Sequence, residues 1–237
     1  MSLGVVALSG CAGMVPTKPG VMAQVLSVTS PETSAEGDGA ANSAGVMVPT
    51  PLLPYVQRDA REGARNRVLN DMRAGLVAWD IGAFRQSQAL FADAYEQIET
   101  LYADNATAKL ARSKFQAEAV KDFKGEPYER AMVGYYRGLA EMVLGDWDNA
   151  RASFRWGEFQ DTLAASEEYQ GDMALLTFLR GWTDTCTNAK SQAAEEYATA
   201  QGIRASLALP AANDNFLMIA ETSGAPEKYA TGRYKDE

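Results

Sequence analysis

Between about Asp59 and Leu209 apolar residues recur at spacings of three and four, in long Ala-rich segments with few prolines. That period predicts one amphipathic helix after another. Three apolar stripes stand out: Leu69, Met72, Leu76 and Trp79; then Met132, Tyr135, Leu139 and Met142; then Leu175, Phe178 and Trp182. From Ala12 to about Gln57 the period is lost, and Pro, Gly, Ser, Ala and Thr dominate, as in TSAEGDGAANSAG. Such a composition predicts a flexible spacer spanning roughly 35 to 40 Å on average. Within it, VMVPTPLLPYV (46–56) is more apolar than a free linker and is expected to dock on the helical body. After the helices, NFLMIAE (215–221) and KYATGRYK (228–235) flank TSGAP, which predicts two extended segments around a turn, a short β-hairpin-like C-terminal segment over 211–237.

A longer period is superimposed on the helical one. Gly75, Gly82, Phe84, Ser87, Phe91 and Ala94 form a series whose spacing is repeated by Gly138, Gly145, Trp147, Ala150, Phe154 and Gly157. A third series is Gly181, Asn188, Lys190, Ala193, Tyr197 and Ala200, with Lys190 where the others carry an aromatic. Small residues at the first position allow close helix approach, and Gly82, Gly145 and Asn188 are residues that tolerate a left-handed turn between helices. Phe91, Phe154 and Tyr197 would fill the space between helices.

This order of small and aromatic residues resembles the tetratricopeptide repeat. The resemblance implies a mainly α fold, a TPR-like α-solenoid of about three helix pairs plus extra helices, within a repeat domain over 58–210. The repeats fall at about 68–101, 131–164 and 174–207. An extra helix around Asn105 to Lys121 fits the first gap, and Ser166 to Gly171 fits the second. In such stacks the first helix of each pair lines a concave surface. The three apolar stripes are therefore the expected partner-binding residues, Met and aromatics being an adaptable lining for an apolar peptide or helix. The same surface could instead be filled by the chain itself, from 105–121 or from 46–56, because a wide exposed apolar face is a liability.

At the N-terminus, Leu8-Ser9-Gly10-Cys11 resembles the lipobox of bacterial lipoproteins, an apolar residue and two small ones before an acylated cysteine. The resemblance implies cleavage before Cys11 and a diacylglycerol on its sulfur. Residues 1–10 would then be a signal-peptide remnant and 11–57 a lipidated tether. Ala12 after the cysteine implies the outer membrane, with the domain on its periplasmic face. A departure is that no Lys or Arg precedes Cys11. No apolar run reaches the roughly 20 residues a spanning helix needs, so membrane contact would rest on the acyl chains.

Composition narrows the chemistry. With 22 basic against 31 acidic residues the net charge is −9, and no basic stripe could neutralise a phosphate backbone, which argues against nucleic acid as a partner. Histidine is absent and only Cys11 and Cys186 are present, which removes most zinc sites, the Ser-His-Asp triad and the Cys-His pair. No catalytic residue, metal or cofactor is expected, and the chain is not expected to be an enzyme. With Cys11 acylated, Cys186 is expected to be an unpaired core or groove residue.

Charge also occurs where the repeat expects apolar residues. Arg137 and Glu141 in RGLAE recur as Arg180 and Asp184 in RGWTD, each pair one helical turn apart. Their expected role is a semi-buried ion-pair network joining repeats. In KDFKGEPYER, Gly125 and Pro127 mark a turn, and Glu126 and Glu129 suit the N-terminus of the next helix. DFKGEPYERAMVG (122–134), followed by YYRGLAEMVLGDWDNA, looks like a family of poorly characterised bacterial lipoproteins with a helical-repeat body. The later NFLMIAETSGAPEKYATG is similar to the extended segment that follows the repeats there. No established activity comes with that family.

The functional expectation is a non-catalytic, lipid-anchored periplasmic scaffold that binds another cell-envelope protein or peptide through the concave face. The alternative is a carrier or sensor of a small apolar or envelope-derived ligand held in the helical stack.

Overall fold

The computed structural model describes residues 5–8, 40–41, 47–103, 123–164, 167 and 170–221. The expected lipidation site Cys11, most of the spacer, the expected helix at 105–121 and the segment 228–235 lie outside the described residues.

The fold is mainly helical. Helix α1 spans Leu53–Glu62, α2 Arg67–Asp80, α3 Phe84–Ala103, α4 Pro127–Val143, α5 Trp147–Asp161, α6 Ala174–Cys186 and α7 Lys190–Ile203. Each helix packs on the next along the chain, from α1 on α2 through to α6 on α7. Helices α2 and α3, α4 and α5, and α6 and α7 form tight antiparallel pairs. They are joined by turns of three residues or fewer that leave no room for the chain to travel.

Those turns need a left-handed residue. Gly82 has φ 75°, Gly145 φ 78° and Asn188 φ 62°, the last being the positive-φ non-glycine residue among those described. After each such residue the chain re-enters a helix. At α5 the Asp146 side chain caps the start by accepting from the Asn149 backbone N–H. The start of α4 carries a capping box: Pro127 lies in the first turn, and the Glu126 backbone N–H donates to Glu129 Oε2 at 2.7 Å. Arg130 then donates to the Gly125 carbonyl at 2.7 Å and to Gln160 Oε1 at 2.6 Å, fixing the KGEPYER turn against α5.

The spacer is shorter than its composition suggests. A 3-10 turn at Thr50–Leu52 runs into α1, and Leu52 is buried with Ala78 and Ala83. Leu52 of the apolar 46–56 stretch therefore docks on α2 and on the turn before α3, and helix starts at Leu53, a few residues before 58. Prolines 51 and 54 are tolerated because they sit in first turns, where an N–H has no helical acceptor.

The main core gathers residues from α4 to α7, including Leu139, Phe154, Leu176, Leu179 and Trp182, each almost fully buried. A second cluster of Val68, Phe91, Ala94, Ile98 and Val133 joins α2, α3 and α4. Strands are short. Strand β1 (Val5–Leu8) pairs antiparallel with β4 (Leu217–Ala220), and β2 (Ala40–Ala41) with β3 (Met47–Val48). The first extended C-terminal segment thus pairs with the N-terminus; its expected hairpin partner lies outside the described residues.

Candidate functional site

The glycine and aromatic series meet in space. A Cβ placed on Gly75 would lie 2.8 Å from Phe91 Cε2, one on Gly138 2.4 Å from Phe154 Cε1, and one on Gly181 2.7 Å from Tyr197 Cε1. All three are closer than carbon atoms can approach, so each aromatic ring occupies the space that glycine leaves. The pairs α2/α3, α4/α5 and α6/α7 therefore share one internal contact, made by equivalent positions of the sequence period.

The residues expected to line an open concave face are placed differently. Trp79, Tyr135, Leu139, Met142, Phe178 and Trp182 are buried, Leu69, Met72, Met132 and Leu175 half-buried, and Leu76 exposed. Part of the cover comes from residues after α7. Ile219 of β4 belongs to the same cluster as Tyr135, Leu139, Phe178 and Trp182, and Leu207 and Leu217 pack against it. The Tyr135 hydroxyl donates to Glu221 Oε1 at 3.0 Å. Burial raises the Tyr135 and Tyr136 hydroxyls above the ordinary phenol range, and the nearby Glu221 carboxylate adds to the effect, so both keep their protons. The C-terminal segment thus packs on the helices, as the marginal stability of an isolated hairpin leads one to expect, and it covers part of the apolar stripes of α4 and α6. Leu217 and Ile219 turn inward and Met218 outward, although residues 216–220 are apolar throughout and give no alternation from which that choice could be read.

The charged positions form ion pairs with partners only partly foreseen. Arg137 Nε lies 2.9 Å from Glu141 Oε1, within α4, and Ser153 Oγ of α5 donates to Glu141 Oε2 at 2.6 Å. The Arg137 guanidinium also sits 4.8 Å from the Tyr95 ring centroid, which ties α3 to α4. Arg180, in contrast, bonds to Glu158 of α5 and Glu196 of α7. Asp184 takes Arg151 instead, with Nε 3.0 Å from Oδ1. The intrahelical Arg180–Asp184 pair suggested by the sequence gives way to contacts across three helices. Glu196 follows Arg180 by the interval at which Ser153 follows Arg137, a correspondence visible in the aligned periods.

Asp184 lies in the wall of a cavity of about 210 Å³ formed with Trp147, Asp148, Arg151, Thr183, Thr187, Ala189 and Gln192. Its side chain is 5% exposed, and Oδ2 has no hydrogen-bond partner among the described residues. Burial raises its affinity for a proton, with Arg151 and Arg180 opposing. A second polar cluster lies between α2 and α3. Arg67 Nε donates to Asp93 Oδ2 at 2.9 Å, and buried Asp71 is 3.7 Å from the same Arg67. Desolvation is the main reason that Asp71 is pushed up to about 8; the neighbouring Asp93 and Asp59 carboxylates reinforce it and Arg67 opposes. No grouping of side chains suited to a metal ion occurs among the described residues, and no described helix is long and apolar enough to cross a membrane.

Cys186 is disulfide-bonded, which corrects the expectation of an unpaired thiol. The chain's other cysteine is Cys11.

Comparison with protein-family models, with characterised proteins and with solved structures finds no match for this chain.

Proposed function

We propose that this chain is a non-catalytic scaffold of the bacterial cell envelope, built from tetratricopeptide-type helix pairs and held at the periplasmic face of the outer membrane by acylation of Cys11. The observation that carries the reading is the recurrence of one glycine–aromatic contact and one left-handed turn in each of three helix pairs. Stacks of this kind work by binding extended or helical segments of other proteins. The absence of histidine and the presence of only two cysteines, which remove the commonest catalytic bases and thiols, support binding over catalysis. The partner is another envelope protein, engaged where the C-terminal segment crosses the groove rather than on bare first-helix faces.

An acylated Cys11 sulfur cannot also form a disulfide, so the anchor and an intrachain bond to Cys186 exclude each other. Metabolic labelling with a fatty acid decides between them: label that disappears in Cys11→Ser supports the anchor. A chain that carries no label, and whose peptides join Cys11 to Cys186 under non-reducing conditions, overturns it. Purification from detergent-solubilised membranes then tests the scaffold, which requires a protein partner in stoichiometric amount.

A second reading, a carrier of a small ligand, is favoured by the cavity beside Trp147. Its wall carries Asp148, Arg151 and Asp184, so the ligand would be charged and polar rather than apolar. Co-purification of a small molecule lost in Asp184→Asn would support it.

A further inference from the structure

Strand β4 has a sealed face and an edge. Ile219 is buried in the main core, Leu217 packs beside it, and Met218 and Phe216 are 62% and 43% exposed, so the side chains of one face hold the strand against the helices. Its backbone edge is met by β1 in antiparallel register: Val5 faces Ala220, Val6 faces Ile219, Ala7 faces Met218 and Leu8 faces Leu217. No other strand is paired with β4 among the described residues.

All four residues of β1 lie upstream of Cys11. Under the lipoprotein reading proposed above, on which this inference rests, signal-peptide cleavage removes them. The helices and the Tyr135–Glu221 bond still hold β4 in place, but its edge then presents backbone N–H and C=O groups with no partner. Such an edge is a template for another strand.

We infer that the β4 edge is the docking site for an extended apolar segment of an envelope partner, which adds as an antiparallel strand where Val5–Leu8 lies in this structure. The occupant's chemistry is read from the segment seated there, VVAL: four uncharged apolar residues, two of them β-branched. Affinity comes from main-chain hydrogen bonds, so it depends on peptide N–H groups. In an antiparallel pair, facing residues alternate between hydrogen-bonded and non-hydrogen-bonded positions. Either Val5 and Ala7 or Val6 and Leu8 are therefore the bonding pair.

The test uses the lipoprotein purified from membranes, its mass and N-terminus determined first, and a synthetic peptide of residues 2–10 as probe. Amide hydrogen exchange at 217–220 is expected to be fast without the peptide and slowed when it is added. Two further peptides carry backbone N-methyl groups, one at positions 5 and 7 and one at 6 and 8. One of the two is expected to bind at least about tenfold more weakly while the other retains affinity. Absence of binding, or equal binding by both methylated peptides, overturns the inference and leaves the lipoprotein reading intact. Protection of 217–220 in the processed protein before peptide is added also overturns it, since the chain itself then occupies the edge. An unprocessed N-terminus overturns the lipoprotein reading, and the inference falls with it.

Discussion

Gly138 of α4 sits so close to Phe154 of α5 that a single added carbon would lie 2.4 Å from the ring. The same relationship recurs at Gly75 with Phe91 and at Gly181 with Tyr197. It is the clearest physical reason for these helices to pair as they do, because a ring edge replaces a side chain at the interface.

Gly138→Ala should therefore destabilise the fold by about 1 to 3 kcal/mol, since the core must open to admit a methyl group. Gly202, which meets nothing within 4 Å, is the control: Gly202→Ala should be neutral or stabilising by up to about 1 kcal/mol. Urea unfolding midpoints of the two variants provide the comparison, and equal midpoints would deny the close contact.

Glu141 is 1% exposed and is held by Arg137 and Ser153. Replacing Arg137 by Met strands a buried carboxylate, so a loss of about 3 kcal/mol is expected. Removing both partners in an R137M/E141L double variant should recover much of it, because no unpaired charge remains. An Arg137→Met protein as stable as the parent would show that the network contributes nothing.

Asp71 gives stability a pH dependence of definite sign. Its ordinary value is 3.8 and the fold pushes it up to about 8. Between those values the folded chain holds a proton that the unfolded chain releases. Stability from this group is thus fully present below about pH 4 and declines as pH rises towards 8, at no more than about 1.4 kcal/mol per pH unit. Asp71→Asn, which keeps the donor without the charge, should be more stable than the parent at pH 8 and differ little near pH 4. A stability difference that does not change across that range would refute the assignment.

The Tyr135–Glu221 bond fastens the C-terminal segment over the apolar faces of α4 and α6. Tyr135→Phe should cost about 0.5 to 1.5 kcal/mol globally. Limited proteolysis between residues 204 and 216 should accelerate, with the helices themselves spared. Unchanged cleavage would mean that Leu217 and Ile219 alone hold the segment. Trp182→Glu, in contrast, should unfold the protein rather than abolish one binding surface, because Trp182 is 1% exposed.

The helices over 67–103, 127–161 and 174–203, the turns at Gly82, Gly145 and Asn188, the close approach at the glycines and the filling of interhelical space by the aromatics were legible in the sequence, whereas α1, which starts within the Pro-rich spacer, was not. Each legible feature depends on local spacing: a left-handed turn needs glycine or asparagine at one position, and a ring needs a matching gap a fixed interval earlier. The capping box at Glu126 and Glu129 was legible for the same reason, being closed within three residues.

Only the tertiary structure decided what covers the apolar stripes and which charges meet. Strand β4 pairs with a segment more than two hundred residues away, and nothing in either stretch encodes the other's address. Arg180 had a carboxylate one turn along its own helix, yet α5 and α7 bring Glu158 and Glu196 within reach and leave Asp184 to Arg151. Periodicity determines which face of a helix is apolar; the packing of distant elements determines whether that face is a surface or a core.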